Sequence, residues 1–168
     1  LFDSLGLPFA LMIGVKRGVN AALQLAGDGV GKPDLASLEN LCSGHPDNKF
    51  RCTVLSRESQ HELCVIARKF RNLHVFGCWW FTNIPNVIEE MTRMRLDLIG
   101  MSFTAQHSDA RVLDQIIYKW DHSREIIAKV LTEKYLNLAA TGREPSGVEI
   151  QRDVEGLFGG SFQRFLGR

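Results

Sequence analysis

Residues 95–111 read RLDLIGMSFTAQHSDAR. The stretch opens apolar, with Leu96, Leu98, Ile99, Met101 and Phe103, and closes on Gln106, His107, Ser108, Asp109 and Arg111. A buried strand that delivers an acid and a base at its C-terminal end is how parallel α/β proteins present a site. Residues 74–83, HVFGCWWFTN, are built the same way and end in paired tryptophans. The two stretches predict strand ends that the rest of the chain brings together.

Working outward, residues 8–16 (PFALMIGVK) form a continuous apolar run, the pattern of a strand covered on both faces. Residues 19–32 are Gly-rich and read as a loop. Pro33 and Asp34 open a helix through Leu35, Leu38 and Leu41, which Ser43-Gly44-His45-Pro46 ends. Residues 50–56 predict a second strand, 59–70 a helix and 73–79 a third strand. Asn83 or Pro85 starts the next helix, with Val87, Met91, Met94 and Leu98 at helical spacing, and its end blurs into a fourth strand near residues 96–104.

A long helix is expected from about Val112. Its apolar stripe is Leu113, Ile116, Ile117, Trp120, Ile127, Val130, Leu131 and Leu138. A last helix over residues 148–165 is weakened by Gly156, Gly159 and Gly160. The order is four βα units plus a C-terminal helical extension in a single domain, residues 1–168: parallel strands and helices to 111, helices from 112. Such alternation implies an α/β fold with parallel strands. It fits a small open sheet or half of an eight-stranded barrel, and periodicity does not separate the two.

Composition sets the bounds. The chain has 168 residues, 45% hydrophobic and 23% charged, with a net charge of +1, so no nucleic-acid or membrane partner is expected. Cys42, Cys52, Cys64 and Cys78 form no CxxC pair and read as reduced, buried thiols of a cytoplasmic protein. The opening LFDSLGLPFALMIG lacks the basic start and cleavage site of a signal peptide. A chain that begins with Leu and enters a strand almost at once reads as a piece of something longer.

Asp109 could bind a divalent metal or accept a proton, and Arg111 could clamp a carboxylate. From spacing alone, Ser108 or Asp109 as the cap of the following helix is the better reading. His107 reads as a polar loop histidine, with no second histidine near it to complete a metal site. Trp79 and Trp80 would wall a pocket or pack in the core, and alternation lets only one of them face a site. Lys16 and Arg17 read as exposed basic residues. The run 27–31 lacks the ending of a phosphate loop. Tyr118, Lys119, His122 and Arg124 are expected on the solvated face of the long helix.

These residues resemble a family. The segment GCWWF, Gly77 to Phe81, is similar to the Gly-x-Trp-Trp-Phe stretch of uronate (glucuronate) isomerases. Asp109-Ala110-Arg111 resembles their Asp-Ser-Arg, here with Ala for Ser and with AQHS (residues 105–108) added before it. The helix carrying Tyr118, His122, Arg124 and Leu131, and the segment 161–165, also resemble family segments. The resemblance implies the C-terminal half, strands five to eight, of a (β/α)8 TIM barrel of the amidohydrolase superfamily. It implies aldose–ketose isomerisation of a hexuronate through an enediol, D-glucuronate to D-fructuronate or D-galacturonate to D-tagaturonate. It assigns Asp109 as catalytic residue and metal ligand, Arg111 as catalytic and substrate-binding, and Trp79 and Arg164 as substrate-binding. The implied cofactor is a divalent metal, zinc, whose other ligands lie outside this chain. The implied partners are the uronate and either a second copy or a missing N-terminal half-barrel. A diverged or inactive amidohydrolase-like relative and a non-catalytic interaction domain stay open beside this reading.

Overall fold

The computed structural model describes residues 6–167, so the first five residues, read above for a leader, lie outside the described part. Strand β1 (Phe9–Ile13) runs into a short antiparallel hairpin of β2 (Val15–Lys16) and β3 (Gly29–Val30). Then follow α1 (Leu35–Gly44), β4 (Phe50–Val54), α2 (Gln60–Lys69), β5 (Leu73–Phe76), α3 (Pro85–Ile99), β6 (Phe103–Thr104) and α4 (Leu113–Ala140). Helices α5 (Gly147–Glu155) and α6 (Ser161–Leu166) close the chain. The main sheet has the order β1-β4-β5-β6 and every neighbouring pair is parallel. This is the predicted alternation of strands and helices.

Local signals act where the sequence put them. Asp34 caps α1, its carboxylate accepting from the Ser37 N–H at 3.2 Å. Pro85 occupies the first turn of α3, where its missing N–H costs no helical bond. Ser146 and Glu149 form a reciprocal capping box on α5. One face of the sheet presents Cys52, Val54, Leu73, Val75 and Phe103 to the helices, and Leu35, Leu38, Leu63, Ile66, Ile127 and Leu131 complete that core. Each such side chain contributes about 1.5–3 kcal/mol by leaving water. The other face is polar and aromatic: Arg51, Thr53, His74, Phe76 and Thr104.

Several expectations need correction. The fourth strand is two residues long, because Leu96 to Ile99 continue the helical stripe of α3 and only Gly100, at φ +58°, ends that helix. The run over residues 8–16 breaks at Gly14 (φ +102°), and its strand is not covered on both faces. It has β4 on one side only, and Met12 points away from the helices, 43% exposed. The Gly-rich loop contains a 3-10 turn over Ala21–Gly27 besides its half of the hairpin. The last helix is broken at Gly156–Gly160, where Gly159 sits at φ +140°. The first half of α4's apolar stripe is not core: Leu113 is 78% and Ile117 71% exposed. The stripe is buried only from Ile127, where the sheet and α3 lie beneath it.

One charge is packed inside. Arg95 on α3 is 1% exposed, donates to Gln60 Oε1 at 3.2 Å and lies 5.7 Å from the Phe103 ring. Gln60 donates in turn to the carbonyls of Val54 and Ser56. The guanidinium thus ties α2 and α3 to the end of β4.

Candidate functional site

Strands β5 and β6 are parallel neighbours, so the loops that follow them emerge side by side. The ladder extends one step further, the Gly77 N–H donating to the Thr104 carbonyl at 2.8 Å. A neutral polar network then fastens the two loops to α4. Gln106 is 2% exposed; its Oε1 accepts from the Cys78 N–H at 3.2 Å. Its Nε2 donates to Asn83 Oδ1 at 3.3 Å and Ser123 Oγ at 2.8 Å. His122 Nε2 stands 3.2 Å from the same Asn83 oxygen. The Asn83 Nδ2 is buried without a partner among the described residues, and the other bonds of the network tie the two loops to α4.

His107 lies in the loop after β6, as expected, but half-buried rather than solvated. Its ring packs on Phe76 at 5.2 Å between centroids, and burial pushes its pKa down to about 4. A Cβ on Gly77 would stand 1.8 Å from His107 Cδ2, and Gly77 sits at φ +67°, so glycine is required there twice over. His107 Nε2 is buried without a hydrogen-bond partner among the described residues.

The next residues decide between cap and site. The helix begins at Leu113 and its N-cap is Val112, with no side-chain cap bond. Neither Ser108 nor Asp109 caps it, contrary to the expectation from spacing. Asp109 is exposed at φ +43°, and among the described residues its carboxylate accepts no hydrogen bond. The loop is held by its backbone instead. Lys119 Nζ donates to the Asp109 carbonyl at 3.0 Å, and the Arg111 N–H donates to Gln115 Oε1 at 2.8 Å. Among the described residues, neither the Asp109 carboxylate nor the Arg111 guanidinium makes a side-chain hydrogen bond or ion pair. Arg111 is close enough to the hairpin to act on Asp28. The Gly18 N–H, with Arg17 and Arg111, holds that carboxyl below the usual range. Arg17 is paired with Asp28 rather than simply exposed.

Lys119 and His122 were expected to be solvated decoration. With Gln115 and Ser123 they occupy positions i, i+4, i+7 and i+8 of one helix face. That polar stripe was the available signal for a face turned toward the loops. Of the tryptophans, Trp79 is 8% exposed and turned inward, while Trp80 (φ +45°) is half-buried and stacks on Phe81 at 4.4 Å. Arg164 is not brought to this place. It lines a cavity with Phe70, Arg71 and Ser102, residues that precede β5 and β6, whereas Asp109 and Arg111 follow β6. Arg164 therefore stands at the opposite end of the sheet, where α6 carries it. Among the described residues no group of three His, Cys, Asp or Glu side chains could hold a metal ion, so Asp109 alone does not make a metal site. The four thiols are free and buried, as expected, and burial pushes Cys42 up to about 11 and Cys52 up to about 12.

No protein-family model and no curated protein matches this chain. Solved structures do. Over 99% of its length the chain is similar to a uronate isomerase from Bacillus halodurans C-125, at 56% identity and a TM-score of 0.96. It spans 40% of that protein. A uronate isomerase from Thermotoga maritima shares the fold over 93% of the chain, at 20% identity and a TM-score of 0.71, and 35% of its own length is covered.

Proposed function

We propose that this relative of the uronate isomerases contributes the Asp109–Arg111 loop to a site that isomerises a hexuronate between aldose and ketose. The reading is carried by the 56% identity across nearly the whole chain. The free Asp109 carboxylate beside a free Arg111 supports it. The substrates we propose are D-glucuronate, giving D-fructuronate, and D-galacturonate, giving D-tagaturonate.

The chemistry asks for few groups. A proton must leave C2 of the aldose and arrive at C1, with an enediol between the two. A carboxylate poised over both carbons can carry it, which is the role we give Asp109. The substrate carboxylate needs a two-point clamp to hold that register, the role of Arg111. Trp79 backs the pocket wall. The polar network at Gln106 and the Lys119 and Gln115 bonds keep the loop in place without occupying the reacting side chains. A divalent metal, zinc, would need ligands from outside this chain to join Asp109, and no step here is routed through it. We further propose that the remaining part of an amidohydrolase-like barrel, or a second copy, covers the outer edge of β1 and the exposed start of α4.

The test is a chimera in which this chain replaces the matching 40% of the Bacillus isomerase. Turnover of D-glucuronate or D-galacturonate is expected. Asp109→Asn should lower kcat by about 10²–10⁴-fold, the range for losing a proton-transfer group. A folded chimera that turns over neither uronate would leave the diverged or non-catalytic relative as the reading.

A further inference from the structure

The end of the sheet remote from Asp109 carries a cavity of about 470 Å³. It is bounded by the C-terminal ends of α2 and α3 and by α6. Its polar lining is Arg71, His74, Ser102, Ser161 and Arg164, and no aspartate or glutamate lines it. The Ser161 hydroxyl is committed to the Phe103 carbonyl, and His74 Nε2 stands 2.9 Å from Thr104 Oγ1. That leaves two guanidinium groups and the exposed Ser102 hydroxyl. None of the ion pairs among the described residues includes Arg71 or Arg164.

Arg164 is itself exposed, and its guanidinium lies against two glycines: a Cβ on Gly156 would stand 3.0 Å from its Nη2, and one on Gly160 3.4 Å from its Nη1. Lys49 Nζ, 5.9 Å from the Phe165 ring centroid, adds a cation near the same helix. The C-termini of α2 and α3 oppose an anion, each with about half a negative charge. Two full positive charges outweigh them, and the Ile66 and Leu96 carbonyls at those ends are already paired with the Phe70 and Gly100 N–H groups.

We propose that this cavity binds a small multivalent oxyanion, gripped between Arg71 and Arg164 with Ser102 as a third donor. Guanidinium forks suit phosphate and carboxylate oxygens. The volume suits a metabolite-sized molecule, and Phe70 and Phe165 give an apolar wall for whatever carries the charge. The site stands independently of the isomerase reading, because it shares no residue with the Asp109 loop.

The experiment is an amide NMR titration of this chain at constant ionic strength, with inorganic phosphate in one arm and glucose 6-phosphate in the other. Saturable shifts are expected at Arg71, Ser102 and Arg164, and not at Asp109 or Arg111. Arg71→Ala and Arg164→Ala should each weaken binding about tenfold or more. Arg57→Ala, which removes an exposed cation paired with Glu90, should leave it unchanged. Tighter binding of the ester supports the site as one for a phosphorylated metabolite, and equal binding supports it as one for free phosphate. No saturable shift, or equal weakening by all three substitutions, would overturn the proposal. Arg71→Ala lies on an exposed turn and keeps the test decisive should Arg164→Ala fail to fold.

Discussion

The two faces of the sheet are made from the same strands and behave differently. Residues 73 and 75 of β5 point to the helices and are Leu and Val; residues 74 and 76 point the other way and are His and Phe. The helix-facing side is closed by α1, α2, α3 and α4 with apolar side chains, Arg95 and Gln60 excepted, and its contribution is mostly area removed from water. The opposite side is closed by α6 and the His107 loop, with Arg51 between the Phe76 and Phe162 rings at 4.0 and 4.7 Å and His74 against Phe162 and Phe165. Its groups are buried but polar, so each must be paired, stacked or kept neutral. Stability should therefore be pH-independent on one face and pH-dependent on the other.

The largest effect is expected on the apolar face. Phe103→Ala removes a fully buried ring and should cost about 3–5 kcal/mol in urea unfolding. A loss below about 1 kcal/mol would mean that this face collapses to fill the gap. The polar face should show itself in the pH profile. Burial, with Arg51 and Arg95 nearby, pushes His74 down to about 4 from 6.5. Between those values the unfolded chain binds a proton that the native chain refuses, so stability falls as pH drops from about 6.5 to about 4. The loss is about 3 kcal/mol by linkage. His107, also pushed down to about 4, adds to the same window, so His74→Phe should roughly halve the slope there, and an unchanged slope would place its origin elsewhere. The smallest effect belongs to the roof over β6. Ser161→Ala deletes the hydroxyl that donates to the Phe103 carbonyl at 2.6 Å and should cost about 1 kcal/mol, without altering the pH profile.

A second difference separates the two ends of the sheet. The loops after β5 and β6 are bolted together by Gln106, yet among the described residues the Asp109 and Arg111 side chains make no hydrogen bond. The opposite end carries Arg71 on a turn and Arg164 on α6, which form no ion pair among the described residues. Arg164 looked like a member of the first group because its segment resembles the family's closing stretch. Its position shows why sequence order is a poor guide here: α6 follows a glycine break that turns the chain down along the polar face.

The sequence by itself determined the order of the parallel strands and of the helices between them, though not the β2–β3 hairpin. Hydrophobic period, Asp34 and Pro85 act over a few residues, and local physics suffices to read them. It also carried the family resemblance, in the Trp pair and Asp109-Ala110-Arg111, which the solved relatives support. Only the tertiary structure decided where strands stop and which stripes are buried. Leu96 and Ile99 suit a helix or a strand until Gly100 and the packing of α3 choose. The apolar start of α4 is as apolar as its buried end, yet Leu113 and Ile117 stay exposed and only Trp120 reaches Phe158. The same holds for the site. Asp109 reads as a helix cap from its neighbours in sequence. It does not cap α4 because Lys119 and Gln115, a turn or more along α4, bind the loop's backbone, an interaction that exists only once helix and loop are folded together.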